Sequence, residues 1–328
     1  NFHRRTWTTG FAGTGKSLLA IETARTLTAQ GFRVLFFTPN NLQGADVIDI
    51  LGRSGQLYPG NGLPRNETDA GVHVEYLADR ARSAEATLAS SSRLAQSLFD
   101  RFQQPCFDAL VIDEFQDVKS ELNAALRLLI IDEDRDGSEI HVFGDPHQRS
   151  IDPASATEGS EFNRLALTTV CRNSRQIHRV VSTVLPLAGR PPTMSGPEPE
   201  FIPADTAEAA GAAVLAAFRR CADREHIDFR SIQVLVGQSP DAGWGDQLID
   251  RLREGFRGRK PAPNLPIAVD NFKGLEADVI ILATGARTLD DATRRELCVG
   301  VSRARAQLVI VGPSDLNHLV KSGSASTA

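Results

Sequence analysis

Residues 10–17 read Gly-Phe-Ala-Gly-Thr-Gly-Lys-Ser, and no other stretch restricts the fold as tightly. A loop spaced Gly-x-x-x-x-Gly-Lys-Ser needs its glycines so that consecutive backbone N–H groups can turn inward around phosphate oxygens. It works between a strand that delivers it and a helix whose N-terminal dipole adds to the anion site. The flanks comply. Arg5–Thr9 can form a short strand, and Ser17–Ala29 carries Leu18, Leu19, Ile21, Ala24 and Leu27 at helical spacing. The backbone of Gly10, Gly13, Thr14 and Gly15 would form the cradle, Lys16 would reach the outer phosphates, and the Ser17 hydroxyl would hold Mg²⁺. A plain glycine-rich turn is the competing reading, and eight matching positions in a strand–loop–helix setting leave it little room.

The rest of the chain extends an α/β pattern. Arg33–Thr38, Ala109–Ile112 and Ile140–Phe143 are short apolar runs between helical stretches, which predicts a parallel sheet buried on both faces. Ser83–Phe102 reads as a helix, and Gly52–Asn66 as an exposed loop. Leu185–Asp205 holds six prolines and reads as a linker or extended surface crossing. A second α/β set follows, with helices at Ala207–Cys221 and Gly245–Glu254 and strands at Ser231–Val236, Leu265–Val269, Val279–Ala283 and Gln307–Val311. A length of 328 residues suits roughly two domains of about 150 each. The expected division is 1–160, 161–320 and a disordered tail at 321–328.

Composition excludes several classes. No apolar run approaches the ~20 residues that span a bilayer, and no secretory signal is visible. Cys106, Cys171, Cys221 and Cys298 are scattered, which argues against zinc and disulfides and fits a reducing, cytoplasmic setting. The seven histidines form no metal-spaced set. A net charge of −5 rules out a basic, tail-driven binder but leaves a local cationic cleft open. The chain starts at Asn1, nine residues before the loop, which suggests missing upstream sequence.

Two further segments carry chemistry. Asp113-Glu114-Phe115-Gln116-Asp117 follows the run Ala109–Ile112. A carboxylate at the C-terminal end of a strand beside the loop's own strand suits a metal-holding role for Asp113, with Glu114 orienting or deprotonating a water. An acidic helix start is the plainer alternative. Gly144-Asp145-Pro146-His147-Gln148 closes another strand, where Gln148 could sense a γ-phosphate, although a Gly-Asp-Pro turn explains the residues equally well.

These segments resemble motifs I, II and III of superfamily 1 helicases of the UvrD/Rep type. Leu167–Ser174 resembles motif IV, Asn271–Ile280 motif V and Leu297–Arg305 motif VI, so six motifs occur in order across residues 10–305. The resemblance implies two RecA-like P-loop domains with parallel sheets and an ATP site in the cleft between them. It also implies ATP and Mg²⁺ as cofactors and ATP hydrolysis coupled to 3′→5′ movement on single-stranded nucleic acid, with DNA favoured over RNA. By position, Arg172 and Arg303 would act on the γ-phosphate, Gly274 and Glu276 would bind nucleotide (Glu276 through the ribose), and Thr38 and Asn40 would touch the nucleic-acid strand.

The sequence also departs from that pattern. No adenine-recognition glutamine precedes the loop, Val170-Cys171 replaces a common Asn-Tyr, and Ser150–Pro153 offers no base-stacking aromatic. Stacking is worth about 1–3 kcal/mol per base, so a weaker grip on single strands is expected. Roughly 97 residues separate Lys16 from Asp113, and the same number separates Arg172 from Val269, too few for large inserted domains. The form Cys-Arg-Asn-Ser-Arg is closer to compact members often fused to a NERD nuclease domain, so a fused or associated nuclease is a candidate partner. Two alternatives stay open. One is an ATP-gated, nucleic-acid-sensing switch or scaffold with little unwinding, and the other is an RNA helicase. Trp7, Trp244 and the basic run Arg251–Lys260 could contact nucleic acid, but core packing and a solvated helix end account for them more simply.

Overall fold

The computed structural model describes residues 4–65, 69–77, 84–102, 104–131, 138–145, 162–184, 189–258, 264, 266–272 and 275–316. The chain divides into two compact units: Asn1–Phe11 with Gly15–Thr168, and Ala12–Thr14 with Thr169–Ala328.

In the first unit the chain runs β1 (Arg5–Gly10), α1 (Lys16–Ala29), β2 (Arg33–Thr38), α2 (Asn41–Arg53), β3 (Gly71–Tyr76), α3 (Ala84–Arg101), β4 (Ala109–Ile112), α4 (Ser120–Arg127), β5 (Glu139–Gly144) and β6 (Asn163–Leu167). The sheet is parallel, in the order β3-β2-β4-β5-β1-β6. Alternating residues of β2 serve opposite faces, as a period of two demands. Val34 and Phe36 join a core under α1 and α2, while Leu35 and Phe37 join a core under α3 and α4. Both phenylalanines are fully buried. Each contributes about 1.5–3 kcal/mol relative to exposure, which explains why β2 and β4 read as unbroken apolar runs.

The second unit holds α5 (Arg175–Val184), β7 (Glu200–Pro203), α6 (Ala207–Arg219), β8 (Ile232–Val236), α7 (Trp244–Phe256), β9 (Ile267–Ala268), β10 (Ala277–Ala283), α8 (Asp291–Ser302) and β11 (Ala304–Gly312). Its sheet is also parallel, ordered β7-β11-β10-β8-β9. One face packs on α5 and α8, the other on α6 and α7, where Trp244 is a core residue. Trp7 packs edge-on against Phe115 at 6.0 Å between ring centroids.

Three expectations change. The proline-rich stretch 185–205 contains β7, an edge strand ending at Pro203, where a missing N–H costs no ladder bond. Residues 52–65 are not simply an exposed loop. Tyr58 is buried, its backbone N–H donates to the Val72 carbonyl at 3.0 Å, and its hydroxyl donates to the Asp69 carbonyl at 2.5 Å. The strand bearing Asp113 does not lie beside the loop's strand, because β5 sits between β4 and β1. The expected tail at 321–328 lies outside the described residues.

Candidate functional site

The glycine loop has the backbone its spacing predicts. Gly13 and Gly15 adopt φ of +79° and +91°, which side chains with a Cβ resist. Gly15 precedes α1 with no side-chain cap, leaving the first helical N–H groups to whatever the loop cradles. Lys16 is buried, and its ammonium donates to the carbonyls of Gly10 and Phe11 at 2.8 and 3.0 Å. Thr14 is buried as well.

Asp113 leaves the end of β4 fully buried, with its backbone N–H on the Phe37 carbonyl at 2.9 Å. Its carboxylate accepts from the Glu114 N–H at 2.9 Å and from the Gln43 amide at 2.5 Å. The same amide nitrogen lies 3.2 Å from Ser17 Oγ. Burial, and then the neighbouring Glu114 charge, raise the Asp113 carboxyl, while hydrogen bonds from Ser17 and the Glu114 N–H and the Lys16 charge pull it back. Ser17 and Asp113 offer the oxygen donors a hard divalent cation takes. A hydrogen-bond donor already bridges them, so the pair fits Mg²⁺.

Glu114 is almost fully buried and sits at φ 53°, ψ 42°, a left-handed conformation rare for a side chain of this kind and concentrated at functional sites. Gln116 steadies it. Its amide donates to Glu114 Oε2 at 2.5 Å, and its carbonyl oxygen accepts from the Asp145 N–H at 2.9 Å. The ends of β4 and β5 are thereby tied at the point where Glu114 is displayed. Gln148 lies outside the described residues.

Thr38 does not suit the strand contact expected of it. It has no exposed surface, and its hydroxyl donates to Gln43 Oε1 at 3.0 Å. Asn40 starts α2: its carbonyl accepts from the Gly44 N–H at 2.8 Å, and its side-chain oxygen lies 3.4 Å from the Gln43 N–H.

In the second unit, Arg172 pairs with Glu276 at 2.5 Å, and Arg305 reaches both Glu276 and Asp278 at 3.6 Å. The two residues expected to meet different parts of a nucleotide therefore meet each other. Arg303 is buried, with Nε donating to the Val299 carbonyl at 3.0 Å. Gly274 lies outside the described residues. Asn173 joins the Arg172 segment to the Arg303 segment through bonds to the carbonyls of Ser302 and Ala304 at 3.1 and 2.5 Å.

Gln43, Gln116 and Asn173 are the residues that sequence reasoning missed. All three are neutral amides: Gln43 and Gln116 spend both ends of the group on neighbours at the site, and Asn173 spends its amide nitrogen on the backbone that flanks Arg303. Gln116 and Asn173 lie inside recognised motifs, whereas nothing local marked Gln43. Among the described residues there is no cluster of His, Cys, Asp and Glu suited to a metal, and no helix is long and apolar enough to cross a membrane.

No protein-family model and no curated protein matches the chain. Solved structures do. The crystal structure of the helicase nonstructural protein 10 of an arterivirus aligns with 97% of this chain and 62% of its own at 15% identity, with a TM-score of 0.51. That arterivirus protein in complex with DNA aligns at 15% identity over 97% and 63%, TM-score 0.49. The PRRSV helicase aligns at 16% identity over 97% and 54%, also with a TM-score of 0.49. The chain thus spans less than two thirds of the length of these proteins. The likeness is one of fold: two α/β domains with parallel sheets, matching the RecA-like domains of the arterivirus helicase.

Proposed function

We propose that this chain is an ATP-dependent motor of the superfamily 1 helicase kind, UvrD/Rep-like in its motifs, moving 3′→5′ on single-stranded nucleic acid, DNA ahead of RNA. The observation that carries the reading is the joining of the glycine loop's Ser17 to Asp113 at the end of β4, with Glu114 displayed alongside by Gln116. The order of six motifs and the arterivirus-like fold support it further.

On this reading the N–H groups of the loop and Lys16 bind the phosphates of ATP, and Ser17 and Asp113 hold Mg²⁺. Bound Mg²⁺ supplies charge neutralisation at the phosphates. Glu114 orients the attacking water and takes its proton on a carboxylate oxygen whose direction Gln116 sets. Arg172 and Arg303 supply guanidinium charge to the transferring phosphate, an effect worth about 10³–10⁵ in rate where it operates. Glu276 accepts from the ribose, and Asn40 faces the nucleic-acid strand.

The test is the steady-state ATPase rate alone, with single-stranded DNA and with single-stranded RNA, using Glu114→Gln as the blank, followed by strand separation on duplexes tailed at either end. Stimulation by DNA with unwinding from a 3′ tail supports the proposal. Preference for RNA makes this an RNA motor. Strong hydrolysis without strand separation turns the protein into an ATP-gated switch or scaffold. No hydrolysis above the blank ends the reading.

A further inference from the structure

The Gln43 side chain occupies a place that the proposed chemistry needs for something else. Its amide nitrogen lies 2.5 Å from Asp113 Oδ2 and 3.2 Å from Ser17 Oγ. Those are the two oxygens a divalent cation would share. An N–H donor that bridges the two oxygens and a cation shared by both compete for the lone pairs that face the gap between them, so only one of the two can bridge them at a time. The amide is not there by accident of a loose side chain. Gln43 is buried, and its other end is held by Thr38, itself without exposed surface, whose hydroxyl donates to Oε1 at 3.0 Å. The backbone beneath is placed with equal care. Asn40 accepts from the Gly44 N–H, and Gly44 lets the first turn of α2 lie against the Tyr76 ring, where a Cβ would stand 2.4 Å from a ring carbon.

We infer that Gln43 is a gate on the cation site: the cation reaches Ser17 and Asp113 only by displacing the Gln43 amide, so Gln43 and its Thr38 anchor set the cation concentration at which nucleotide is gripped. This rests on the proposed ATP site and goes beyond it by adding a positioning residue that neither the motifs nor the fold assigns.

The consequence has a direction. A hydrogen bond to a charged acceptor that must be surrendered weakens cation binding by about tenfold, some 1.4 kcal/mol. Removing the amide therefore tightens cation binding. A residue that instead ligated the cation would weaken binding on removal.

The experiment uses the full chain at pH 8.5. Binding of a fluorescent ADP is first measured in EDTA and then in Mg²⁺. Mn²⁺ binding to the ADP-loaded protein is next followed by the electron paramagnetic resonance signal of free Mn²⁺. Gln43→Ala should lower the Mn²⁺ dissociation constant by about tenfold. Thr38→Val, which strips the anchor from Oε1, should lower it by about threefold, and Thr38→Ser should return it to the starting value. An unchanged or higher dissociation constant in Gln43→Ala overturns the gate. If Gln43→Ala does not fold, as judged by circular dichroism, Thr38→Val decides: no change or weaker binding overturns it. Failure of the unmodified chain to bind the nucleotide under either condition overturns the ATP-site reading itself, and the gate with it.

Discussion

The acidic end of β4 and the arginines of the second unit handle charge in opposite ways. At β4, Asp113 and Glu114 are buried, and their nearest side-chain donors include the neutral amides Gln43 and Gln116, fixed in turn by Thr38 and the Asp145 N–H. In the second unit, Arg172, Glu276, Arg305 and Asp278 form a partly exposed chain of ion pairs. Buried carboxylates held by amides are preorganised: their geometry persists and their charge is costly. Half-exposed ion pairs are exchangeable, because water and salt replace each partner at little cost. The contrast is between carboxylates whose geometry persists and ion pairs whose partners exchange.

The sharpest way to break this comparison is at Glu114. Glu114→Gln keeps the shape and the left-handed backbone but removes the proposed base, so turnover should fall by about 10²–10⁴, roughly 3–5 kcal/mol in barrier. Nucleotide affinity should stay within a few-fold. Single-turnover hydrolysis beside equilibrium nucleotide binding reads both. A parallel loss of binding would mean that Glu114 is structural.

Glu296 tests whether the second unit is exchangeable throughout. It is buried on α8, and its Oε1 accepts from the Gln238 N–H at 2.7 Å. Burial, opposed by the Gln238 N–H and reinforced by the Asp270 charge, pushes its carboxyl from 4.5 up to about 7. Between those values the folded chain keeps a proton that the unfolded chain releases. Stability should therefore fall as pH rises through this window, by up to roughly 3 kcal/mol. Urea denaturation of wild type and Glu296→Gln at pH 5 and pH 8 should show the variant losing that part of the slope. Equal slopes would place Glu296 among the exchangeable groups.

Gly144 sharpens the other side. A Cβ there would stand 2.9 Å from Gln116 Oε1. Gly144→Ala should cost about 1–3 kcal/mol by overpacking and should lower turnover by releasing Glu114 from its partner. Denaturation midpoints and ATPase rates check the two effects. A stability loss with unchanged turnover would show that Gln116 does not position Glu114.

What was legible in the sequence follows the same divide. β2 and β4 were readable because strands buried on both faces are apolar throughout, and the glycine loop because its backbone demands a particular composition. β3 was not, since His73 and Glu75 sit inside it as buried polar residues. The strand's period of two puts them on one face, 2.8 Å apart, and the fold sets Arg101 against Glu75. The insertion of β5 between β1 and β4 could not be read either, because strand order in space leaves no local signature. Gln43 bonds residues 26 and 70 positions away, and Asn173 bonds carbonyls 129 and 131 positions away. An amide whose purpose is that distant looks, in sequence, like any other polar residue near a helix start.

The smallest expected effect bears most directly on the second unit. Arg172 and Glu276 are 2.5 Å apart, yet 18% and 41% of their side-chain surface stays exposed. Solvent screening should hold their coupling to about 0.2–1 kcal/mol. A double-mutant cycle of Arg172→Ala and Glu276→Ala on unfolding free energy reads the coupling, which should shrink further between 0.05 and 0.5 M salt, concentrations on either side of a ~10 Å Debye length. A weak, salt-sensitive pair leaves Arg172 free to trade a carboxylate for a phosphate, whose bidentate grip on guanidinium is the stronger attraction. A coupling well above 1 kcal/mol that resists salt would make the pair a fixed strut. Arg172 would then belong with the preorganised groups, and the charge that the proposed reaction needs from the second unit would have to come from Arg303 alone.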